Sequence, residues 1–345
     1  TGIPPVVVQG LGNGVIPIPG NVASFTLADE FERGYIKSWN AFVQKELMWG
    51  FVGEVGYVGT RQIDQLGYRE LNYPTVGGGA ASRVLNQRFG RTASTLLIAP
   101  VGDSSYDAMQ ASLVRRFTNG FNLNANYTFS KAIGFSPNGN SDDDLRIRIP
   151  QFHYLNKALL NHDRTHVFKI SNITELPFGK GKRFLSDGGI ASALIGGWQI
   201  NNVIRFGSGT PFNITANGNS LAAPDNTQRA DLVNPDVEIF GNIGPGQRYF
   251  DITAFAPVTE ARFGTAGYNI LRGPGFFRWD FGLFRKIQIN ERFEVQLRAE
   301  STNFTNTPRF SNPNTDVNNS NFGTITSTTG VHIPRLFRFG LRLGF

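Results

Sequence analysis

The sequence predicts an all-β protein, a transmembrane antiparallel up-and-down β-barrel of which this chain forms the C-terminal part. Three observations predict it: segments that alternate apolar and polar residues, connections that are short and long in turn, and charges that follow the alternation. The clearest segment is 333–345, where one face of an extended strand carries Arg and Gly. The opposite face is wholly apolar and consists of Phe337, Phe339, Leu341, Leu343 and Phe345.

The composition is compatible with a barrel and excludes several other classes of protein. The 345 residues include 40 Gly and 30 Phe, and only 40% are hydrophobic. No apolar run approaches the roughly 18 residues of a membrane-spanning helix, whereas each barrel strand gives only a weak signal. The absence of Cys excludes a disulfide scaffold and a Cys-ligated metal. The net charge of +7 is compatible with nucleic acid, an anionic membrane surface or an anionic ligand.

The period-two pattern predicts about nine strands. The cleanest alternation lies at 121–131, and the Asn119-Gly120 pair before it is the strongest short signal for a hairpin. We expect residues 1–34 to be an N-terminal segment in an extracellular loop and 35–345 to form the barrel portion. The predicted strands are 35–47, 49–57, 107–117, 121–131, 165–176, 194–206, 276–289, 292–305 and 333–345.

The connections between these strands alternate in length. The short connections are the residue after 47, the pair Asn119-Gly120, the basic turn 179–183 and the pair Asn290-Glu291. Outer-membrane barrels have short periplasmic turns and long extracellular loops, which is the same asymmetry. Because bacterial barrels have an even number of strands, an odd count leads us to expect a larger barrel cut in an extracellular loop. The long connections are 61–103, 134–164, 208–274 and 306–332.

Charged residues test the assignment of faces, because an Arg or Lys facing lipid at mid-membrane costs about 2 to 4 kcal/mol but little near the interface. With the apolar faces turned outward, the outward charges fall near strand ends, where they can snorkel. These outward charges are Lys37, Lys45, Arg115, Lys131, Arg285 and Arg335. The candidate lumen-facing charges are Arg116, Lys169, Arg205, Arg278, Arg298, Glu300, Arg338 and Arg342.

Other motifs predict neither a catalytic nor a cofactor or metal site. His162 and His166 open a strand, where their side chains diverge, and the acidic run 142–144 lacks the spacing of a calcium loop. The glycines in 10–14 neither follow a strand nor open a helix. Alternation places Arg and aromatic side chains on opposite faces, which argues against nucleic-acid binding. Four inward carboxylates are expected to pair with Arg: Glu54, Asp280, Glu294 and Glu300.

Several segments resemble a known family when they are taken together and in order. They are S-Y-D-A-M-Q-A-S-L-V-R-R-F from Ser105, N-Y-T-F-S-K-A-I from Asn126, H-D-R-T-H-V-F-K-I-S from His162, E-L-P-F-G-K-G-K-R-F from Glu175, G-G-W-Q-I from Gly196, S-G-T-P-F from Ser208, N-F-T-N-T-P-R-F-S-N-P from Asn303 and P-R-L-F-R-F-G-L-R-L-G-F from Pro334. With them the chain resembles the TonB-dependent outer-membrane receptors of the Oar-like kind, which have a carboxypeptidase-regulatory-like N-terminal domain. The resemblance covers roughly the last three quarters of the chain.

The resemblance implies a barrel of about 22 strands with a plugged lumen in the cell outer membrane. It implies energised uptake of a ligand, driven by an inner-membrane motor that pulls on the plug. No plug domain and no motor-coupling box are visible, so we expect TonB to act only through a plug elsewhere in the parent protein. The other expected partners are outer-membrane lipid, the remaining barrel strands, and the barrel-assembly machinery through the C-terminal strand.

Three functional hypotheses remain open. The first is transport, with ligand contacts in the loops 61–103, 134–164 and 208–274 and with no enzymatic activity. The second is a non-transporting surface protein or adhesin whose barrel displays long loops. The third is a secreted β-rich protein that binds or hydrolyses carbohydrate.

Overall fold

The computed structural model describes residues 18–30, 32–135, 145–331 and 333–345, and they form an all-β fold. The strands are β1 Ser24–Leu27, β2 Tyr35–Glu46, β3 Phe51–Glu70, β4 Thr95–Thr118, β5 Phe121–Gly134, β6 Ala158–Leu159, β7 His166–Glu175, β8 Trp198–Gly207, β9 Pro211–Phe212, β10 Asp231–Leu232, β11 Phe255–Ala256, β12 Leu271–Arg272, β13 Phe276–Gln288, β14 Glu294–Thr302 and β15 Leu336–Gly344. The helices are α1 Val84–Phe89 and α2 Ile190–Ile195, with 3-10 turns at Met48–Gly50, Ala80–Ser82, Pro150–Asn156 and Ile252–Ala254. No helix among these residues is long and apolar enough to cross a membrane.

Nine long strands form one antiparallel meander. Their order across the sheet is β15, β14, β13, β8, β7, β5, β4, β3, β2, so each long strand pairs with the next one along the chain. All nine predicted strands and the up-and-down connectivity are therefore confirmed. Within the described residues, β2 and β15 are the two edges of this sheet. We call the end with the long connections the loop end and the other the turn end.

The tight turns follow the local chemistry of their residues. Asn119 (φ 53°) and Gly120 (φ 77°) both have positive φ, as a type I′ hairpin turn requires. In the turn after β13, the Asn290 side-chain oxygen accepts hydrogen bonds from the backbone N–H groups of Arg292 and Phe293. Trp49 was predicted to begin a strand, but it lies in a 3-10 turn with φ 60°, so that prediction is wrong at this residue.

The structure corrects the prediction that 61–103 is an irregular connection. β3 continues to Glu70 and β4 begins at Thr95, which makes these the longest strands, with 20 and 24 residues. The register between β3 and β4 shifts between Gln62 and Gln65, where Asp64 has φ 52°. A bulge of this kind moves later side chains out of phase, so the period-two pattern is lost in the sequence although the strand continues.

Two predicted strands have different ends for local reasons. The strand predicted at 194–206 begins only at Trp198, because Leu194 belongs to α2 and Gly197 (φ 76°) turns the chain between them. The strand predicted at 292–305 spans Glu294–Thr302, and Asn303 with φ 49° ends it. Within the N-terminal segment, β1 pairs in parallel with β4, from Ser24 opposite Thr95 to Leu27 opposite Ile98.

The long connections pack into a folded layer, and the predicted loop 208–274 contributes most of its buried residues. We call the described residues 71–94, 145–165, 208–275 and 303–331 the loop layer. Its main cluster surrounds the fully buried Phe250. The other buried members are Phe212, Ile214, Ala230, Tyr249, Ala254, Phe255, Ala266, Leu271, Phe322 and Ile325. A second cluster contains Ile147, Ile149, Leu221, Ala223 and Phe263.

Candidate functional site

The register of the sheet separates an apolar face from a polar face. Residues directly opposite each other on neighbouring strands share a face, and successive residues along a strand alternate. Phe206 lies opposite Phe277 on the apolar face, whereas Arg205 lies opposite Arg278 on the polar face. The large exposed side chains of the apolar face include Trp39, Val43, Val55, Tyr57, Met109, Phe129, Phe206, Phe277, Phe339 and Leu341.

Three predicted lumen-facing cations form a row across the polar face. Lys169 on β7 lies opposite Arg205 on β8, and Arg205 lies opposite Arg278 on β13. Arg278 has a carboxylate partner, Asp280, with Nε and Oδ1 2.8 Å apart. In the part of the chain that the structure describes, no carboxylate forms an ion pair with Lys169 or Arg205. We call Lys169, Arg205 and Arg278 the cation row. Like charges directly opposite each other repel, so the cation row favours the binding of an anion between them.

A cavity of about 180 Å³ adjoins the cation row at the loop end. No carboxylate of the described residues lines it. Its polar lining consists of Arg205, Arg278, Asn303, Thr307 and Arg309, and its apolar lining of Phe276, Phe277, Val331 and Ile333. Three guanidinium groups around one space form a set of hydrogen-bond donors suited to a carboxylate or phosphate group. We call this space the Arg cavity.

The aromatic ring of Phe276 contacts Arg309 of the Arg cavity and one further guanidinium group, that of Arg164. Arg309 lies 4.6 Å and Arg164 5.1 Å from the ring centroid. Burial lowers the pKa of Arg164, and the positive charges of Arg309 and Arg272 lower it further. The loop end of β8 and β13 is therefore strongly positive.

Asn303 positions one wall of the Arg cavity. Its backbone N–H donates to Asp280 Oδ1 at 2.9 Å, and its side-chain amide donates to the carbonyls of Thr307 and Ile333. The backbone N–H of Thr307 returns a bond to Asn303 Oδ1 at 3.0 Å. The loop predictions missed Asn303, Thr307 and Arg309 as lining residues. All three residues lie in the segment N-F-T-N-T-P-R-F, which contributes to the family resemblance and could have indicated them.

The remaining predicted site residues lie elsewhere on the strands. Glu300 lies opposite Arg338, and both line a second cavity of about 300 Å³ with Asp280. Arg298 stacks on Phe284 at 5.2 Å and lies opposite Gly340, whereas Arg342 lies opposite Gln296. Arg116 lies beside a register shift of β4 and has no register partner; β7 and β5 separate its strand from β8. The structure therefore brings together only part of the predicted set.

The apolar face holds a charge pair that the strand pattern missed. Asp107 lies opposite Gly59 on this face and forms an ion pair with Arg61 at 3.0 Å. The hydroxyl of Tyr57 also donates to Asp107, and Arg61 lies 5.2 Å from the Trp39 ring. Arg61 was not predicted to lie on this face because 61–103 was interpreted as a loop. The predicted outward cation Arg115 lies between the rings of Phe51 and Phe121, at 5.5 and 5.3 Å.

The alternative motifs have other structural partners. Asp163 forms an ion pair with Arg272, and His166 contacts the Tyr127 hydroxyl through Nδ1 at 2.8 Å. Among the described residues, no group of three or more His, Asp and Glu could hold a metal ion. The acidic run 142–144 and the glycines in 10–14 lie outside the described residues.

Among the described strands, the C-terminal strand β15 pairs only with β14. Its predicted apolar row is exposed along its whole length: Phe337, Phe339, Leu341, Leu343 and Phe345. That this row is an assembly signal stays a prediction.

These features together define a class of protein. An antiparallel meander with one aromatic face, one charged face and its longest connections at one end is the wall of a transmembrane β-barrel. The chain belongs to the family of outer membrane beta-barrel domains, whose family model matches residues 1–338. The cell outer membrane is accordingly its location. No curated protein matches the chain.

Solved structures of outer-membrane transporters and receptors match this chain over most of its length. The outer membrane transporter YddB from Escherichia coli is 10% identical with a TM-score of 0.50, and the match covers 95% of this chain and 34% of YddB. The ferripyoverdine receptor of Pseudomonas aeruginosa is 8% identical (TM-score 0.38, covering 90% of this chain and 27% of the receptor). The siderophore receptor PiuA from Acinetobacter baumannii is 10% identical (TM-score 0.33, 90% and 34%). This chain thus spans about a third of their length.

Proposed function

We propose that this chain is the C-terminal part of the barrel of a TonB-dependent receptor of the Oar-like kind, and that the whole protein takes up an anionic ligand. The observation that carries the proposal is the cation row with the Arg cavity above it at the loop end. Family membership and the resembling segments support it. The activity is transport, and the chain has no role as an enzyme.

In this proposal the loop end is extracellular and the turn end is periplasmic, as is general for outer-membrane barrels. A ligand reaches the loop layer first and then the Arg cavity. The polar face is the inner wall of the barrel, where Lys169, Arg205 and Arg278 provide positive charge across one level of the path. The loops 61–103, 134–164 and 208–274 provide the outer ligand contacts.

The whole receptor needs parts beyond the nine long strands. Among the described residues, no strand pairs with the outer edges of β2 and β15. Lipid does not satisfy the backbone N–H and C=O groups of such edges. We propose that further strands of the parent protein pair with these edges and that a plug domain occupies the lumen. TonB acts through that plug, and the barrel-assembly machinery binds the strand that ends at Phe345.

Charge reversal of the cation row in the full-length protein tests the transport function. Cells supplied with a mixture of organic acids, ferric chelates, phosphorylated sugars and neutral sugars should deplete at least one anion, and a protonophore should stop this depletion. The double variant Arg205→Glu/Arg278→Glu should abolish it, because the wall would then repel the ligand. Arg292→Glu is the matched control, since Arg292 is exposed in the turn after β13.

The outcome separates transport from display. If no compound is depleted in an energy-dependent way, or if the double variant depletes the same anion at an unchanged rate, the uptake proposal is wrong. The second candidate function, a surface protein or adhesin, is favoured by one observation, the folded loop layer with its own buried clusters. It predicts that removal of the loop layer abolishes cell attachment without changing uptake.

A further inference from the structure

The connection between β7 and β8 differs from the other connections at the turn end. It contains 176–197, including the helix α2 Ile190–Ile195, whereas β4 and β5 are joined by Asn119 and Gly120 alone. We call residues 176–197 the turn foot. A segment of this length is not needed to join two neighbouring antiparallel strands.

Two side chains of the apolar face hold α2. Trp198 and Arg285 lie opposite each other there, in phase with Ile200 and Leu283. The guanidinium group of Arg285 donates to the carbonyls of Ala193 and, at 3.1 Å, of Gly196. The indole N–H of Trp198 donates to the carbonyl of Leu194 at 3.3 Å. The C-terminal end of α2 is therefore fixed to the face of the barrel that meets lipid.

The helix turns its large apolar side chains away from the protein. Ser192 is buried, whereas Ile190 and Leu194, about 200° away around the helix, are 81% and 64% exposed. Ile195 is 48% exposed. Three adjoining aliphatic side chains on one six-residue helix form an apolar surface that no other part of the described chain covers.

The rest of the turn foot is anchored on the polar side of the same strands. Lys182 forms an ion pair with Glu175 at 2.5 Å, and Glu175 lies opposite Gln199 on the polar face. Gly179 and Gly196 lie in contact, since a Cβ on Gly196 would lie 2.8 Å from the Gly179 Cα. The turn foot therefore passes under the strand ends and fixes α2 against the apolar side.

Cations and further apolar groups accompany α2 in the turn foot. Lys180 and Arg183 are exposed, and Arg183 lies 5.4 Å from the ring of Phe184. Phe184 and Leu185 are exposed as well. Exposed aliphatic and aromatic groups beside cations are typical of elements that lie at a membrane interface and contact anionic lipid.

We propose that the turn foot is a membrane-interface anchor, in which Ile190, Leu194 and Ile195 enter the acyl region and Lys180 and Arg183 bind the phosphates of anionic phospholipids. Two observations select lipid over a protein partner. The apolar surface of α2 is continuous with the lipid-facing side of the barrel through Trp198 and Arg285, and the cations complement an anionic headgroup. The assignment to the phospholipid leaflet rests on the periplasmic orientation of the turn end proposed above.

Depth-dependent fluorescence quenching tests the anchor. The chain contains no Cys, so an environment-sensitive fluorophore can be attached to Leu194→Cys in the full-length protein, with any cysteine elsewhere replaced. The protein is reconstituted in vesicles of phosphatidylethanolamine and phosphatidylglycerol that contain brominated acyl chains. Leu283→Cys on the apolar face is the positive control, and Asn201→Cys on the polar face is the negative control. Bromolipid should quench the label at Leu194 as strongly as the label at Leu283.

A second variant tests the headgroup. Lys180→Glu/Arg183→Glu should lower the quenching at Leu194 in vesicles with phosphatidylglycerol and should leave it unchanged in vesicles of phosphatidylcholine alone. A label at Leu194 that stays unquenched, like the one at Asn201, overturns the proposal. A blue-shifted but unquenched label overturns it too, because a protein surface would then cover α2. Either result leaves the uptake proposal intact, since uptake is measured separately.

Discussion

The ion pair between Asp163 and Arg272 is the strongest candidate for a contact that holds the loop layer to the sheet. The side chain of Asp163 is only 1% exposed and that of Arg272 is 29% exposed. Asp163 also accepts the backbone N–H of Ala132 in β5 at 2.6 Å, and Arg272 donates to the carbonyl of Gly209 at 3.2 Å. The pair therefore joins β5 to β12 and to the start of the connection 208–275.

Arg272→Ala should open this part of the loop layer. Removal of one partner of a buried pair leaves the other charge without compensation, which costs about 3 to 5 kcal/mol. At about 1.4 kcal/mol per tenfold, hydrogen exchange should become roughly 10²- to 4 × 10³-fold faster for amides that exchange through this opening. The amide of Gly273, which donates to the carbonyl of Thr210 at 3.0 Å, is the probe to follow by mass spectrometry.

Two further variants make the test decisive. Lys182→Ala removes the more exposed ion pair with Glu175. It should change the free energy of opening, obtained from the exchange rates, by less than about 1 kcal/mol. Asp163→Asn combined with Arg272→Ala should recover part of the loss, because most of the cost is the unpaired buried charge. An exchange increase below about tenfold in Arg272→Ala, or a double variant as open as the single one, would refute the reasoning.

Two other changes have defined outcomes. Burial lowers the pKa of His153, which contacts the carbonyl of Arg148 at 3.1 Å, so the folded segment Pro150–Asn156 binds fewer protons than the unfolded one. The contribution of His153 to the stability of this segment should be complete above the usual His pKa of about 6.5 and should decrease as pH falls toward the pKa in the folded state. The hydrogen-exchange rates of His153→Asn should lack this pH dependence. An equal pH dependence in His153→Asn would show that His153 is not its cause. Asn202 on the apolar face accepts a hydrogen bond from the indole N–H of Trp279 at 2.9 Å, and Asn202→Leu removes this acceptor. The folded state should lose about 1 to 3 kcal/mol of stability, which should lower the temperature of the heat-dependent gel shift. Ile200→Leu is its control, and an equal shift there would exclude the hydrogen bond as the cause.

The strands could be predicted because lipid and water impose a period of two on them. Phe121, Leu123 and Ala125 alternate with Asn residues, and the structure places this segment in β5. The period-two pattern is lost where a single backbone irregularity shifts the phase of the side chains. Asp64 with its positive φ hid the upper part of β3, and Leu194 was taken as a strand residue although it belongs to a short helix that precedes two glycines.

The loop layer could not be predicted from periodicity. Its core residues, such as Ile214 and Phe250, are separated by long irregular stretches and meet only through tertiary contacts. The Arg cavity also forms through tertiary contacts between residues that lie far apart in the sequence. Arg205 and Arg278 follow from the strand pattern, whereas Arg309 comes from another connection and reaches the same cavity through the turn that Asn303 stabilises.

The position of the buried clusters has a thermodynamic consequence. The loop layer buries apolar side chains that water would otherwise surround, so its opening should carry a large positive heat-capacity change. The apolar face of the sheet remains in contact with hydrocarbon, so unfolding there exposes little new apolar area to water. Cooling should weaken the loop layer while the sheet keeps its order. Calorimetry of the intact protein should therefore resolve two transitions that respond differently to temperature and to the choice of detergent.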